Sequence, residues 1–150
     1  MITPMNIIAA KSICLWQYPK PYDIYNYMSF DDAVKKDSPL LKEEYKNNYL
    51  CFFENDTLTA YINIYKKDCK IFIGIGVAPD YCGKGLGKTY LKKGIAEAES
   101  RYPESEIWVE VRSWNERAIK CYEKCGFKKQ YKKTIKDRFG RDEEFIFMKR

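Results

Sequence analysis

Residues 71–88 read IFIGIGVAPD YCGKGLGK. The first seven are rich in β-branched and aromatic side chains, which reads as a buried strand from Lys70 to Val77. A Pro79-Asp80 turn follows, then glycines at 83, 85 and 87, then a segment with helical periodicity. A glycine-rich turn that feeds a helix N-terminus is suited to phosphate. Its backbone N–H groups point outward, no Cβ blocks close approach, and the helix dipole favours negative charge. Lys84, Lys88, Lys92 and Lys93 add positive charge to the same stretch. Glycines in this number also mark a tight turn with no ligand, so the loop needs its context.

Working outward, the segment Leu86–Tyr102 sets Leu86, Tyr90, Leu91, Ile95, Ala98 and Tyr102 on one face of a helix, and Pro103 stops it. Ile107–Val111 alternates as a strand, with Glu106, Trp108 and Glu110 on the face opposite Ile107, Val109 and Val111. A second helix is predicted from about Asn115 to Lys124, with Ser113 and Glu116 as its capping box and Gly126 as its stop. Closing strands are read at Phe127–Lys136 and Glu143–Met148. Upstream, Tyr49–Phe53 and Leu58–Tyr65 make a hairpin, and Lys66-Lys67-Asp68 turns the chain into the Lys70 strand. The N-terminal region reads as a short strand near Thr3–Ile8, a helical turn through Ala9–Trp16 and an aromatic loop. Charged, helix-compatible residues follow from 30 to 47, broken at Ser38-Pro39. This order predicts a single mixed α/β domain over 1–150, with a mostly antiparallel sheet and helices on both faces.

Composition bounds the function. The chain has 150 residues, 45% hydrophobic and 16% aromatic, enough for a packed core. No apolar run approaches the ~18 residues of a membrane span, and no basic segment precedes the short apolar patch at the N-terminus, so neither a membrane helix nor a secretory signal is expected. The net charge of +6 suits nucleic acid, an acidic surface or a phosphorylated cofactor. No nucleic-acid reader motif is present, and nucleic acid is not expected as a partner. The six cysteines lack metal-site spacing and the chain has no histidine, so no metal site is predicted and a reducing cytoplasm is the expected setting. Without histidine, a general base must be a carboxylate, a tyrosine, a cysteine or a water chain.

The P-loop pattern fails because Cys82 stands where its first glycine belongs, and glycines at 83, 85 and 87 do not give the dinucleotide fingerprint. The run Val77, Pro79, Tyr81, Gly83-Lys84-Gly85-Leu86-Gly87, between a strand and a helix, instead resembles the acetyl-CoA-binding motif of the GNAT acyltransferase superfamily. Farther on, Asn115, Ala118-Ile119, Tyr122 and Gly126-Phe127 resemble that family's second hallmark, a helix ending in Gly-Phe. The likeness covers roughly 48–149; it implies an acetyl-CoA-binding core over 48–150 and an acceptor side over 1–47.

The resemblance implies an acetyl-CoA-dependent N-acetyltransferase fold with a splayed central strand pair. The pantetheine arm would bond the backbone of Ile75, Gly76 and Val77, and the loop Cys82, Gly83, Lys84, Gly85, Leu86, Gly87 and Lys88 would take the pyrophosphate. Cys82 departs from the family's Gln/Arg at that position and forfeits a polar contact. Tyr122 sits at the family's acid position; a phenol near ~10 can protonate a thiolate near ~8.5. Glu110-Val111-Arg112 with Asn115 resembles the ribosomal-protein alanine N-acetyltransferases, where the matching glutamate is the base. Each residue has a plainer role beside this one. Asn115 is implied as a donor to the pantetheine arm and could equally, or also, cap the helix. Tyr122 could only pack, Glu110 could be a solvated or paired carboxylate, and Gly76 could serve close packing or a bulge. The implied acceptor is a primary amine, a protein N-terminal α-amine or a polyamine, on a monomer or homodimer. An idle acyl-CoA sensor is the reading from another class. The aromatics from Trp16 to Phe30 lie where the family builds its acceptor wall, and they are equally suited to core packing.

Overall fold

The computed structural model describes all 150 residues. Its strands are β1 (Ile2–Thr3), β2 (Tyr49–Glu54), β3 (Thr57–Lys67), β4 (Lys70–Val77), β5 (Ile107–Arg112), β6 (Lys128–Lys136) and β7 (Asp142–Lys149). Its helices are α1 (Ile7–Leu15), α2 (Phe30–Lys35), α3 (Leu86–Arg101) and α4 (Glu116–Lys124). The seven strands form one sheet in the order β1-β2-β3-β4-β5-β7-β6. β4 and β5 run parallel, whereas β1/β2, β2/β3, β5/β7 and β6/β7 are antiparallel, the mixed and mostly antiparallel sheet read from the sequence. No helix is long and apolar enough to cross a membrane. By packing, the chain divides into two compact units, Met1–Asn63 with Ile75–Leu86, and Ile64–Gly74 with Gly87–Arg150.

In the first unit, the N-terminal strand is shorter than its sequence predicts. It covers Ile2–Thr3 only, because Pro4 brings no ladder donor. Helix α1 then starts at Ile7 rather than Ala9, since Asn6 caps it by accepting from the Ala9 N–H at 2.9 Å. Ala9, Ala10, Ile13 and Cys14 bury α1 against Ala33, Leu40, Tyr49, Cys51, Phe53 and Leu58. The charged stretch after residue 30 makes only the short α2, capped by Ser29, before Ser38-Pro39 breaks it into 3-10 turns at Pro39–Leu41 and Glu43–Asn48. The β2/β3 hairpin closes through Asn55 and Asp56, with φ of 45° and 62°, the left-handed pair that matches strand twist.

In the second unit, β3 runs on to Lys67 and turns through Asp68 and Cys69 (φ 50° and 61°), two residues later than Lys66-Lys67-Asp68 predicts. The same twist-matched two-residue turn explains the shift. Helix α3 buries Tyr90, Leu91, Gly94, Ile95 and Ala98. Strand β5 is covered on both faces: Trp108, on the same face as two glutamates, is buried with Phe72 and Phe147. Helix α4 is capped by Asn115, which accepts from the Ala118 N–H at 3.1 Å, and not by a Ser113/Glu116 box. Gly126, at φ +92°, ends it as expected.

All six cysteines are free, with Cys69 exposed and Cys14, Cys51 and Cys125 buried. Burial pushes the Cys51 thiol up to about 12 and raises those of Cys14 and Cys125. Titration of the native protein with a disulfide reagent at pH 8 is expected to modify Cys69 first. Cys14, Cys51 and Cys125 should react only after denaturant is added. Reaction of Cys51 at the rate of Cys69 in the native protein would contradict the packing of β2.

Candidate functional site

Strand β4 changes character along its length. Ile71, Phe72 and Ile73 are buried, whereas 74–77 are half-exposed. Its parallel ladder with β5 comprises Ile71↔Ile107 and Phe72↔Trp108, although β4 runs five residues beyond Phe72. The chain then makes a 3-10 turn at Pro79–Tyr81, anchored by the Ala78 N–H donating to the Thr59 carbonyl at 2.8 Å.

The loop that follows is built for open backbone. Gly83 and Gly85 both sit at φ +73°, and the space where a Cβ would stand is empty at each. A side chain there would be strained by conformation rather than by crowding. Helix α3 begins at Leu86, so the first backbone N–H groups of a 16-residue helix open directly from this loop. Lys84 lies with its ammonium 5.4 Å from the Tyr81 ring centre. Gly87 serves packing: the Cys121 sulfur of α4 stands 3.5 Å from where its Cβ would be. Cys82 does more than vacate a polar position, because its thiol lies 3.5 Å from the Val77 carbonyl and spans the base of the turn.

The half-exposed strand end carries two features that sequence reasoning missed. A Cβ on Gly76 would lie 2.3 Å from Cε1 of Tyr61, so the glycine is there to admit that ring, the close-packing role. Tyr61 in turn stacks with Trp16 at a centroid distance of 6.0 Å and tilts against Tyr49. The Tyr18 hydroxyl donates to the Val77 carbonyl at 2.7 Å. Trp16, Tyr27, Met28 and Phe30 pack on the first unit's core. The signal for Tyr61 was Gly76, one of two glycines in a strand of otherwise mostly large residues. Ile75 is half-buried beside Gly76.

In the second unit, Glu110 lies on β5 with its side chain 29% exposed, and Lys67 places its Nζ 3.7 Å from Oε2. That oxygen is buried and accepts no hydrogen bond. Tyr65, on the same strand as Lys67, has its phenol pushed up to about 12 by burial and by the charge of Glu110. Asn115 is buried as the α4 cap, and Tyr122, 6% exposed on the same helix, meets Phe127 edge-on at 6.0 Å. Lys88 is exposed in the first turn of α3. No group of three histidine, cysteine or acidic side chains is arranged to hold a metal.

The profile of the acetyltransferase (GNAT) family matches residues 10–127. An N-alpha-acetyltransferase of Saccharolobus solfataricus is 35% identical over 78 residues, 52% of this chain and 46% of its own. A ribosomal-protein-alanine N-acetyltransferase of Escherichia coli is 45% identical over 53 residues, 35% of each chain. The chain thus spans half or less of the length of these curated relatives. Among solved structures, a spermidine N-acetyltransferase chimera from Vibrio cholerae and hSSAT superposes with a TM-score of 0.76 over 99% of this chain and 94% of its own, at 18% identity, a likeness of fold. Salmonella typhimurium yncA, solved with its cofactor acetyl-CoA, is 26% identical, with a TM-score of 0.59 over 67% of this chain and 62% of its own.

Proposed function

The chain belongs to the acetyltransferase (GNAT) family, and on that premise we propose that it is an acetyl-CoA-dependent N-acetyltransferase acting on the α-amine of a protein or peptide N-terminus. The observation that carries the reading is the pair Gly83 and Gly85, both left-handed and unobstructed, opening into the N-terminus of α3. Acetyl-CoA brings an activated acetyl thioester to the reaction. In this chain, the backbone N–H groups from Gly83 to Lys88 would hold its pyrophosphate, with Lys84 and Lys88 as nearby positive charge. The backbone of Ile75, Gly76 and Val77 would align its pantetheine arm. The carbonyl of Val77 accepts from Tyr18, and the N–H of Val77 is the group assigned to the developing oxyanion.

Proton movement is assigned to two side chains. Glu110 takes a proton from the attacking amine; its buried oxygen with no hydrogen-bond donor is free to accept one. Tyr122 holds a proton at its hydroxyl for the departing thiolate. An α-amine near ~7.7–8.0 asks less of the base than a lysine amine near ~10.4. Two further points favour an N-terminal amine over a polyamine. The curated relatives are named for α-amine and alanine acetylation. The first 30 residues contain a single carboxylate, Asp23, a poor match to a polycation.

The test is release of free thiol from acetyl-CoA in the presence of peptides, polyamines or other small amines. Peptide-dependent release is expected. Release with polyamines alone would overturn the acceptor, and acetyl-CoA binding without release for any amine would make the chain an acyl-CoA sensor. In the same assay Glu110→Gln is expected to lower turnover about 10²–10⁴-fold. An unchanged rate would return Glu110 to the role of an ion-pair partner of Lys67.

A further inference from the structure

The β6–β7 hairpin of the second unit concentrates charge in a way the linear composition conceals. Residues 128–150 hold nine basic and four acidic side chains, which amounts to five of the chain's six net positive charges. Strand β6 forms the sheet's edge, and all of its residues except Ile135 are exposed. Five of its nine residues are lysines. Lys132 and Lys136 are matched to Glu144 and Asp142 on β7 at 3.7 and 2.8 Å. Lys128, Lys129 and Lys133 pair with no carboxylate.

Lysines on an edge strand guard against strand addition, and one or two suffice for that. Guarding does not account for the aromatic rings set among them. Tyr131 is 45% exposed yet held flat against Phe147, with centroids 4.8 Å apart and planes 12° from parallel. At the hairpin tip Phe139 is 59% exposed, with the guanidinium groups of Arg138 and Arg141 each 4.9 Å from its ring centre. The tip is ordered by Asp137, whose carboxylate accepts from the Phe139 and Arg141 N–H groups at 2.8 and 2.9 Å and from the Arg141 side chain. Exposed aromatic rings on an edge raise the risk of self-association. A ring held flat between lysines that pair with no carboxylate, as Tyr131 is, is what a single-stranded nucleic acid needs: a stacking surface for a base and charges for the phosphates on either side.

We propose that the β6–β7 hairpin is a docking surface for single-stranded nucleic acid, with Tyr131 stacking a base, Lys128 and Lys133 on the same sheet face neutralising phosphates, and Lys129 adding charge from the other face of the edge strand. A polyanionic peptide would satisfy the lysines but make no use of the ring. Glu110 lies opposite Phe147 on the same sheet face as Tyr131, but neither Tyr131 nor the three lysines are assigned to acetyl transfer, so the proposal is tested independently of that activity.

The experiment is fluorescence anisotropy of labelled oligouridine and oligothymidine of about 12 nucleotides, with polyglutamate of equal charge as competitor. Salt is varied from about 50 to 200 mM. Binding in the range of about 10⁻⁶–10⁻⁴ M near physiological salt is expected, with log affinity falling against log salt at a slope of about −2. The variant Lys128→Gln/Lys129→Gln/Lys133→Gln should flatten that slope to near zero while leaving acetyl transfer to a peptide unchanged. Tyr131→Leu should weaken binding about 5- to 150-fold, and Tyr131→Trp should preserve it. Far-UV circular dichroism checks that each variant is folded. No binding at the lowest salt, an unchanged slope in the lysine variant, or equal displacement by polyglutamate with no effect of Tyr131→Leu would each overturn the proposal. The last outcome would mark an acidic protein surface instead. A difference between the RNA and DNA probes would identify the sugar that the surface prefers.

Discussion

Replacing Tyr122 by phenylalanine is expected to lower turnover with acetyl-CoA and a peptide amine by about 10²–10⁴-fold, which corresponds to about 3–5.5 kcal/mol of barrier. The substitution removes one oxygen. The ring stays edge-on to Phe127 on the buried face of α4, so the melting temperature should hold. Affinity for acetyl-CoA should also hold, because the loop assigned to the pyrophosphate binds through its backbone. That combination separates the two readings of Tyr122. A side chain that only packs would leave turnover intact when its hydroxyl is lost. Measurement of kcat and of the acetyl-CoA dissociation constant on the same preparation decides the matter, and equal turnover removes Tyr122 from the acid role.

The second large effect is on stability. In Gly76→Ala the new methyl would lie 2.3 Å from Cε1 and 2.7 Å from Cζ of Tyr61, distances no carbon pair sustains. The ring has little room to yield, since it stacks with Trp16 and tilts against Tyr49. Overpacking of this kind costs about 1–3 kcal/mol, so a fall in melting temperature of roughly 2–12 °C is expected. Tyr61→Phe keeps both clashing carbons and should give no rescue. Tyr61→Ala in the Gly76→Ala background should be less damaging than the sum of the two single variants, with a coupling of about 1 kcal/mol or more. Strict additivity in thermal melts would show that the ring moves aside freely.

The parts of the fold that were legible in the sequence are those governed by local rules. Alternation marked β5, 3.6-residue periodicity marked α3 and α4, and left-handed turn residues marked the β2/β3 hairpin. The misreadings arose where two local signals compete. Ser113 with Glu116 has the spacing of a capping box, yet Asn115 is nearer the first helical turn and takes the cap. The apolar Ile7 and Ile8 read as strand, but Asn6 starts a helix and Pro4 ends the strand. The glycine loop was legible because its conformation depends on residues adjacent in the chain.

The site beyond that loop was legible only as candidates. Glu110 and Tyr122 could be named from their motifs. Tyr122 meets Phe127 of its own motif, whereas the surroundings of Glu110 come from a strand distant in the chain, with Lys67 and Tyr65 beside it. The same holds for Gly76, whose need for no side chain is set by a tyrosine 15 positions earlier, and for Cys82, whose thiol meets the Val77 carbonyl. The lysines of β6 are close together in the chain, but only strand pairing matches two of them with β7 carboxylates and leaves three without partners.

By itself, then, the sequence determined the mixed α/β architecture, the open glycine loop feeding α3, and the residue types available for acid and base chemistry. Those follow from backbone propensity and from short-range spacing. Only the tertiary structure decided which side chains face one another, why Gly76 must lack a Cβ, and which lysines of β6 go unpaired. Such contacts depend on burial and strand register, which bring together residues that no local pattern relates.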